Sequence, residues 1–409
     1  MTIALHTLGC KVNQYDSQAL LKNMISAGYT LLNFNEKADI YIINTCTVTH
    51  TGDKKSLQMI RRARRLNPAA FVAVCGCMPN NQANDKLTLA GADFIFDARK
   101  PDDLIAKLGK PLKSEIIETD YLNERIRAYI KIQDGCDRYC TYCIVPYVRG
   151  SVISRPKTEI LAEVMTCLQQ GVQEIVLTGI QVAAYGYDTG SEFITLPKLI
   201  KEINSIADIR LRLSSIDPWV VDDSFLVAVS DSPTLCSHFH LSLQSGSDKI
   251  LSSMNRQYTV TDYANAAKSL RALRLDMALT TDIIVGFPGE TDKDFQDTMD
   301  FAEAMSFSQI HVFEYSKREG TKAASLPNHV QNNVKSMRGE KMRVLASTLR
   351  NKFLKAQIGK TLPVLFETPT RGHTEHYCMV HVKSILPLNT IQNIIITGLT
   401  DNGLDGELT

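Results

Sequence analysis

The chain has 409 residues, of which 44% are apolar and 22% are charged. This composition is typical of a soluble protein, and no apolar run is long enough to span a membrane, so we expect a cytoplasmic protein and exclude an integral membrane protein. The formal net charge is only +1, so any affinity for nucleic acid has to come from local basic patches.

The length exceeds that of one ordinary hydrophobic core, and the pattern predicts domains at residues 1–115, 122–355 and 357–409. The amino terminus lacks the basic and apolar segments of a signal peptide, so we expect none. Ten cysteines in a cytosolic chain are more typical of metal ligands and buried thiols than of disulfides.

The amino-terminal third alternates between strand and helix patterns. We predict strands at residues 3–8, 39–43 and 70–74, and helices at residues 17–27 and 52–66. This alternation indicates an open parallel sheet with right-handed crossovers.

Three cysteines follow these predicted strands, namely Cys10, Cys46 and Cys77. Ligands of such sheets bind beyond the carboxyl ends of the strands, so this shared position indicates a metal site. Free cysteines are also commonly buried without a function, which is the alternative. We expect Cys77 rather than Cys75 to belong to the site, because Cys75 ends a buried strand whereas Cys77 lies in the loop after Gly76.

Six basic residues lie in the helix between the second and third strands. They are Lys54, Lys55, Arg61, Arg62, Arg64 and Arg65. Two interpretations stay open: the run is the solvated face of a helix, or it contacts phosphates.

The central part contains three cysteines spaced by three and then two residues, Cys136, Cys140 and Cys143. A structural zinc site would need a fourth ligand nearby, and the next histidines are as far away as His238 and His240. The spacing therefore predicts three thiolate ligands of a 4Fe–4S cluster, with one iron left open for a small molecule that carries an amine and a carboxylate. Chance clustering of buried cysteines is the alternative.

Six strand patterns, separated by helix patterns, follow a predicted linker at residues 111–124. The strands are predicted at residues 127–132, 174–177, 209–214, 239–243, 277–285 and 309–315, and the helices at residues 160–170, 196–206, 263–273 and 295–305. Such a repeat predicts a partial (β/α)6 barrel with its site at the carboxyl ends of the strands.

Residues at these strand ends, together with the aromatic residue before the last motif cysteine, are candidates for cofactor binding. They are Tyr142, Gly179, Ser214, Gln244 and Gly286. Each alone is also typical of an ordinary turn. The glycines of residues 286–290 would let the backbone approach an adenine ring closely. Cys167 and Cys236 have no motif partners, and we predict that both are structural.

The carboxyl-terminal part begins with a predicted helix at residues 331–355 that carries seven basic residues and one acidic residue, and that faces either a polyanion or water. Residues 361–367, 376–382 and 391–397 alternate like strands of a small all-β module. The module resembles the TRAM domain, an RNA-binding β-barrel, through residues 372–377. It contains only Arg371 and Lys383 as basic residues, so RNA contact here would depend on aromatic, histidine and backbone groups.

Taken in order, these three regions resemble the radical S-adenosylmethionine (SAM) methylthiotransferase family along essentially the whole chain. The motifs that carry the resemblance are Thr7-Leu-Gly-Cys10-Lys-Val-Asn13-Gln14, Asn44-Thr-Cys46, Gly76-Cys77, residues 136–150 with Ile-Val-Pro-Tyr-Val-Arg149, and Met254-Asn-Arg256. The resemblance implies that Cys136, Cys140 and Cys143 hold the cluster that cleaves SAM. It also implies that Cys10, Cys46 and Cys77 hold an auxiliary 4Fe–4S cluster.

The family adds a methylthio group to an unactivated carbon. No side-chain base can break such a C–H bond, so a 5′-deoxyadenosyl radical from SAM is needed, and the auxiliary cluster holds the sulfur nearby. The resemblance implies tRNA, an electron donor such as flavodoxin or ferredoxin, and a sulfur source as partners.

Within the family, residues 9–16 most resemble the branch that modifies N(6)-threonylcarbamoyladenosine beside the tRNA anticodon. Lys11 would pair with the threonyl carboxylate, although a solvated lysine is the alternative. Methylthiolation of isopentenyladenosine or of a ribosomal-protein aspartate also stays open. A non-catalytic iron–sulfur RNA-binding protein is the alternative from a different class, but it would not need the polar residues at the strand ends.

Overall fold

The computed structural model describes residues 1–81, 84–109, 126–189 and 194–409. Within these ranges the chain forms an amino-terminal parallel sheet with helices, a central arc of six parallel strands with outer helices, and a closed carboxyl-terminal β-barrel. This architecture confirms the predicted fold class. The predicted linker at residues 111–124 lies outside the described residues. No helix in the described part of the chain is long and apolar enough to cross a membrane.

The amino-terminal sheet is parallel and has the strand order β2-β1-β3-β4-β5. Its strands are β1 (Thr2–Thr7), β2 (Thr30–Leu32), β3 (Ile40–Thr45), β4 (Phe71–Gly76) and β5 (Phe94–Ile95). Its helices are α1 (Lys11–Ser26), α2 (His50–Leu66), α3 (Asn84–Leu89) and α4 (Pro101–Leu108). Every residue of β3 is buried, because helices pack on both faces of the sheet and form a separate apolar core on each.

Helix α1 begins at Lys11, earlier than the predicted start at residue 17. Its first turns carry the buried polar residues Asn13 and Asp16, which interrupt the apolar periodicity that marks a helix. Both are buried because they make hydrogen bonds, Asn13 to the backbone of Leu8 and Asp16 to Lys131 of the central domain. Because this burial depends on tertiary contacts, the sequence pattern does not reveal where the helix begins.

The central strands follow one another around the arc in chain order. They are β6 (Arg127–Lys131), β9 (Glu174–Thr178), β10 (Arg210–Leu213), β11 (His238–His240), β12 (Ala278–Val285) and β13 (Gln309–Glu314). The first three and the last three form parallel sheets, and the parallel bridge between Ile216 and Leu241 helps to join them. A short hairpin of β7 (Gln133–Asp134) and β8 (Ile153–Ser154) follows β6.

Outer helices cover this arc. They are α6 (Lys157–Gln169), α7 (Leu196–Ile206), α8 (Asp223–Ser230), α9 (Asp248–Ser253), α10 (Val260–Leu273) and α11 (Asp292–Met305), whereas α5 (Val145–Arg149) lies in the loop between β7 and β8. Alternate strand residues such as Ile175 and Leu177 pack under the helices in the main apolar core. The residues between them point to the other face, so the lumen of the arc is lined by polar side chains, including Glu174, Arg212 and His240.

Helix α12 (Asn332–Lys355) leads into a closed barrel with the strand order β14-β15-β16-β18-β17. The strands are β14 (Thr361–Thr368), β15 (Arg371–Thr374), β16 (Met379–Val382), β17 (Ile391–Thr400) and β18 (Gly403–Leu408). The strand predicted at residues 376–382 begins only at Met379, because the preceding residues form a turn in which Tyr377 has a φ of 63°. The barrel docks on the amino-terminal ends of the central strands, where Arg210 donates to the carbonyl of His373 (3.2 Å).

Candidate active site

Cys136, Cys140 and Cys143 lie on the loop that leaves β7 and ends in α5. The loop begins at Gly135, whose φ of +71° and close approach to the backbone of Ser151 leave no room for a side chain. The amide of Cys136 donates to the carbonyl of Gly150 (3.0 Å), and the amide of Cys143 donates to that of Cys140 (2.9 Å). The backbone therefore holds the three thiols on one tight loop.

The three thiols line a cavity of about 150 Å³ together with Gln181 and Arg256. The thiol of Cys136 donates to Gln181 Oε1 (3.2 Å), and Arg256 Nη1 donates to the sulfur of Cys140 (3.3 Å). Burial raises the pKa of Cys136 to about 11 and that of Cys143 to about 12. Burial in this pocket therefore disfavours the charged thiolate form of Cys136 and Cys143.

The spacing of the sulfur atoms fits a cluster better than a single ion. In the described part of the chain, neither cysteine triplet has its three sulfur atoms all within 4.8 Å of one another. In an iron–sulfur cluster each thiolate binds a different iron atom, so its ligands can lie farther apart than the ligands of one ion.

The predicted cofactor-binding residues differ in their placement around this cavity. Tyr142 lines it, and Gly179 and Ser214 are close in sequence to residues that line it. Gln244 lies outside the lining of the cavity, and its backbone amide donates to the carbonyl of Asp282 on β12 (2.8 Å). Gly286 also lies outside it, and the side chain of Lys335 packs against its α-carbon, where a Cβ would clash.

Cys10, Cys46 and Cys77 follow β1, β3 and β4, and the structure brings them together. The sulfur atoms of Cys10 and Cys77 both lie 3.9 Å from Asn13 Oδ1. A Cβ added to Gly9 would meet the sulfur of Cys46 at 3.2 Å, so the backbone before Cys10 lies directly against Cys46. Three thiols from three strand ends thus meet at one edge of the sheet, as predicted for a metal site.

Asn13 and Arg149 organise this second site. Asn13 donates to the carbonyls of Leu8 (2.8 Å) and Thr45 (2.9 Å), which ties the ends of β1 and β3 together. Arg149 Nε donates to the sulfur of Cys77 (3.4 Å). Burial raises the pKa of Cys77 to about 11, and the Arg149 guanidinium opposes this rise.

Arg149 also connects the two cysteine sites. Its guanidinium donates to Asp134 (3.0 Å), which precedes the motif loop, and to Asp16 (3.3 Å) on α1. Cys77 packs against Ile144 and Val148, which directly follow the motif cysteines. The second cysteine site is therefore in van der Waals and ionic contact with the segment that follows the first.

The other cysteines lie apart from both sites. Cys75 is fully buried in β4, within the apolar core that also contains Leu20 of α1 and Leu104 of α4. Burial raises its pKa well above the usual value. Cys167 and Cys236 are also buried, which fits the structural role predicted for them.

Several residues of these sites were missed by the sequence reasoning. They are Asn13, Arg149, Gln181, Asp217 and Arg256. Asn13, Arg149 and Arg256 each belong to one of the motifs that carry the family resemblance, which was a usable signal. Gln181 and Asp217 belong to none of these motifs. They come three and four residues after the ends of β9 and β10, and this position after a strand was the only signal for them.

A larger cleft of about 970 Å³ adjoins both cysteine sites. Thr47 and Met78, which neighbour Cys46 and Cys77, line it together with Ile144 and Tyr147 of the central domain. Basic side chains also line it, namely Lys54, Lys86, Lys317 and Arg318. Arg318 is paired with Asp53, whereas the three lysines are exposed.

The basic residues of α2 differ in their surroundings. Arg64 Nη1 donates to the carbonyl of Ala70 (2.6 Å) and Arg64 Nε to that of Gly91 (2.8 Å), and the guanidinium also pairs with Asp93. Arg64 is thus part of the fold. Arg61 and Arg65 are exposed and make no hydrogen bond or ion pair within the described residues.

The segment at residues 372–377, which carries the likeness to the TRAM domain, is used for docking. Glu174 is fully buried and pairs with Arg127 (2.6 Å) and Arg212 (2.9 Å). Both guanidinium groups lie over the ring of Tyr377, at 5.3 and 4.9 Å. The ring of Tyr377 is therefore part of the contact between the carboxyl-terminal barrel and the central domain.

Helix α12 uses much of its basic charge within the protein. Arg338 is buried and pairs with Glu290 (2.6 Å), and Lys335 donates to the carbonyl of Tyr315 (3.2 Å). Arg350 donates to the carbonyl of Asn402 in the carboxyl-terminal barrel (2.9 Å). Lys341, Lys352 and Lys355 stay exposed, so part of the basic charge of this helix still faces solvent.

Comparison with known proteins gives two domain matches and full-length relatives. The family model described as "Uncharacterized protein family UPF0004" matches residues 2–97, and the Radical SAM superfamily model matches residues 130–302. The chain is 35% identical to the Threonylcarbamoyladenosine tRNA methylthiotransferase MtaB of Bacillus subtilis, over 93% of this chain and 90% of that protein. It is 34% identical to the tRNA-2-methylthio-N(6)-dimethylallyladenosine synthase of Maricaulis maris, over 99% of this chain and 96% of that protein.

Among solved structures, the radical SAM methyltransferase TsrM from Kitasatospora setae has a similar fold. Its TM-score is 0.59 at 14% identity, over 79% of this chain and 77% of that chain. At this identity the likeness concerns the fold alone.

Proposed function

The chain belongs to the radical SAM methylthiotransferase family, and on that premise we propose that it converts N(6)-threonylcarbamoyladenosine beside the tRNA anticodon into its 2-methylthio derivative. Enzymes of this family use SAM and two 4Fe–4S clusters. The relatives named for threonylcarbamoyladenosine, with 33–36% identity, support this acceptor.

Cys136, Cys140 and Cys143 would hold the cluster that binds SAM, and Cys10, Cys46 and Cys77 would hold the auxiliary cluster. When bound, the clusters supply the electron for SAM cleavage and the sulfur for transfer. Gln181 and Arg256 reach the sulfur atoms of Cys136 and Cys140, so they would orient the first cluster. Arg149 would do the same at Cys77 and place a positive charge beside the auxiliary cluster.

One observation carries this proposal, namely that two thiol triplets from separate domains adjoin each other through residues 144–149. A reaction that creates a carbon radical at one centre and delivers sulfur from another needs both centres to reach the same substrate atom. A non-catalytic iron–sulfur protein would have no such requirement.

The cleft of about 970 Å³ would admit a nucleotide of the anticodon loop, because it adjoins both cysteine sites and Lys54, Lys86 and Lys317 line it. The proposal includes a cytoplasmic location, a low-potential electron donor such as flavodoxin or ferredoxin, and a separate sulfur source.

Lys11 supports the threonylcarbamoyl acceptor. It follows Cys10, is half-buried and makes no hydrogen bond or ion pair within the described residues. Burial, with further contributions from Arg212 and Arg127, lowers the pKa of Lys11 to about 8, and Glu174 opposes this shift. An unpaired amine beside the auxiliary site suits the threonyl carboxylate, which isopentenyladenosine lacks.

Mass spectrometry of tRNA nucleosides from a strain lacking this protein tests the proposal. We expect 2-methylthio-N(6)-threonylcarbamoyladenosine to disappear while its unmodified precursor accumulates. The second candidate is isopentenyladenosine, favoured by the relatives named for dimethylallyladenosine at 33–35% identity. Loss of the methylthio group from that nucleoside, or from a ribosomal-protein aspartate, would overturn the proposed acceptor but leave the family unchanged.

A further inference from the structure

Three potential metal ligands meet inside the central domain, away from both cysteine sites. They are His240 at the end of β11, Asp282 on β12 and His311 on β13, and their ligand atoms all lie within 4.8 Å of one another. The three strands are neighbours, with Asp282 opposite His311 and Thr280 opposite His240. The group is thus held by paired backbone on adjacent strands, which places side chains more accurately than loops do.

The contacts around His240 leave its Nε2 without a hydrogen-bond partner. Its Nδ1 lies 3.0 Å from the hydroxyl of Thr280, and that hydroxyl lies 3.4 Å from Nε2 of His238. When Nδ1–H of His240 donates to Thr280, whose hydroxyl donates to His238, Nε2 of His240 carries a lone pair; the reverse arrangement puts the proton of His240 on Nε2. A bound metal ion would select the first arrangement, because the ring nitrogen of a metal-binding histidine that does not bind the metal usually donates a hydrogen bond.

The free nitrogen faces a carboxylate. His240 Nε2 is buried, makes no hydrogen bond and lies 3.4 Å from Asp282 Oδ2. An imidazole lone pair and a carboxylate at this separation repel each other unless a proton or a metal ion lies between them. The ring of His311 is stacked on that of His240, with centroids 5.8 Å apart, and so brings a third donor to the same place.

We propose that His240, Asp282 and His311 bind a divalent transition-metal ion, for which zinc is the best match. Two imidazoles and one carboxylate form a ligand set suited to zinc and to ferrous iron, and it contains no thiolate. Three protein ligands leave a coordination position open.

The ion would lie in the lumen below the cavity of the motif cysteines. Ser242 lines that cavity, and His240 is the preceding lumen-facing residue, roughly 7 Å away along the chain. Below the ion, His238 contacts the ring of Tyr377 of the carboxyl-terminal barrel (5.6 Å). The proposed site is therefore distinct from both cluster sites and lies between the cavity and the docked barrel.

Zinc binding by the holoenzyme tests this proposal without tRNA or turnover. Both clusters are reconstituted anaerobically first, so that the cysteines are occupied, and zinc is then measured by equilibrium dialysis with elemental analysis. We expect one zinc per chain, with nitrogen and oxygen but no sulfur ligands in X-ray absorption. Asp282→Asn and His311→Gln should each weaken zinc binding at least about tenfold, whereas His381→Gln on β16 should not.

Asp282→Asn is nearly isosteric and His311 is exposed, so both variants should fold, and unchanged iron content and circular dichroism check this. Absence of bound zinc, sulfur ligands in the absorption spectrum, or a zinc affinity in either variant equal to that of the unmodified protein would overturn the proposal. None of these outcomes depends on the acceptor nucleoside.

Discussion

Gly76 determines where the sulfur of Cys77 goes. Its φ is +95°, and a Cβ there would clash with Asn44 and with the backbone of Thr45. The chain can therefore turn at the end of β4 only because this residue is glycine. Cys75, before the turn, stays in the apolar core, while Cys77, after it, lies beside Asn13 and Arg149.

We predict that Cys77→Ser loses the auxiliary cluster and that Cys75→Ser keeps it, because only the sulfur of Cys77 reaches the other two cysteines. Iron and sulfide per chain after anaerobic reconstitution measure the difference. Both variants should keep the cluster of Cys136, Cys140 and Cys143. Loss of iron from Cys75→Ser alone would contradict the assignment of Cys77.

Arg149→Lys should lower methylthiolation without stopping the cleavage of SAM. A lysine keeps the charge but cannot donate at once to Cys77, Asp134 and Asp16 in the geometry of a guanidinium fork. We expect methylthiolation to fall about 10- to 100-fold, while 5′-deoxyadenosine is still formed from SAM. Chromatography of both products from one reaction measures this. An equal loss of both products would mean that Arg149 serves the SAM site as much as the auxiliary site.

At the scale of elements, the basic residues of helix α2 lie in three different surroundings. Its amino-terminal end, with Lys54, borders the cleft, whereas Arg61 and Arg65 lie two to three turns further along. Arg64 belongs to neither group, because its bonds to the backbone of Ala70 and Gly91 hold the end of the helix to the sheet.

Replacing Lys54, Arg61 and Arg65 by Gln should weaken tRNA binding and reduce the slope of log affinity against log salt by up to about 0.7–0.9 for each lost phosphate contact. Arg64→Gln is the matched control, since it should lower thermal stability and leave the salt slope unchanged. Filter binding across a salt series gives both slopes. An unchanged slope in the triple variant would mean that these basic residues face solvent and do not contact phosphates.

The carboxyl-terminal barrel is held by a buried ionic layer at the base of the central strands. Burial disfavours the charged form of Glu174, but Arg212, Arg127 and Arg210 outweigh this and lower its pKa to about 2. Because the folded-state pKa is depressed, this stabilisation is fully present above the unfolded-state pKa of about 4.3 and is lost as pH falls toward about 2.

Glu174→Gln should destabilise this interface by about 3–5 kcal/mol, because it leaves Arg212 buried without its carboxylate and Arg127 with Glu367 alone. We expect a lower urea midpoint and faster proteolytic release of the carboxyl-terminal barrel. Asp231→Asn, which removes an exposed pair with Lys201, should change stability by less than about 1 kcal/mol. Similar midpoints for the two variants would show that the buried layer does not hold the barrel.

At the scale of the whole molecule, the amino-terminal sheet and the central arc each place thiols at the carboxyl ends of parallel strands. The two edges face each other, with α5 between them and the cleft of about 970 Å³ alongside. The carboxyl-terminal barrel closes the opposite end of the arc. Substrate therefore has access from the side where both cysteine sites lie.

The intact protein should contain two clusters per chain. Iron and sulfide should be about twice the content of a single-cluster protein, and Cys136→Ala should remove one cluster while sparing the other. Electron paramagnetic resonance of the reduced variant should show only the remaining signal. A single cluster in the unmodified protein would contradict the assignment of Cys10, Cys46 and Cys77.

The sequence by itself determined the order of the elements and both cysteine triplets. Strand and helix periods are local, and the carboxyl ends of parallel strands necessarily meet at one edge, so the positions of Cys10, Cys46 and Cys77 after predicted strands were enough to group them. The start of α1 was missed because Asn13 and Asp16 are polar residues whose burial depends on contacts with Thr45 and Lys131, which are distant along the chain, and no local pattern reveals such burial.

Only the tertiary structure decided which residues of the three regions contact one another. The contact of Arg149 with Cys77, the docking of Tyr377 on Arg127 and Arg212, and the meeting of His240 with Asp282 and His311 all join residues far apart in the chain. Such contacts depend on how helices and sheets pack against one another. The partner of a side chain is then determined by the distance between packed elements, and not by its neighbours in the sequence. The triplets were therefore evident from local spacing, whereas the connection between them required the packed domains.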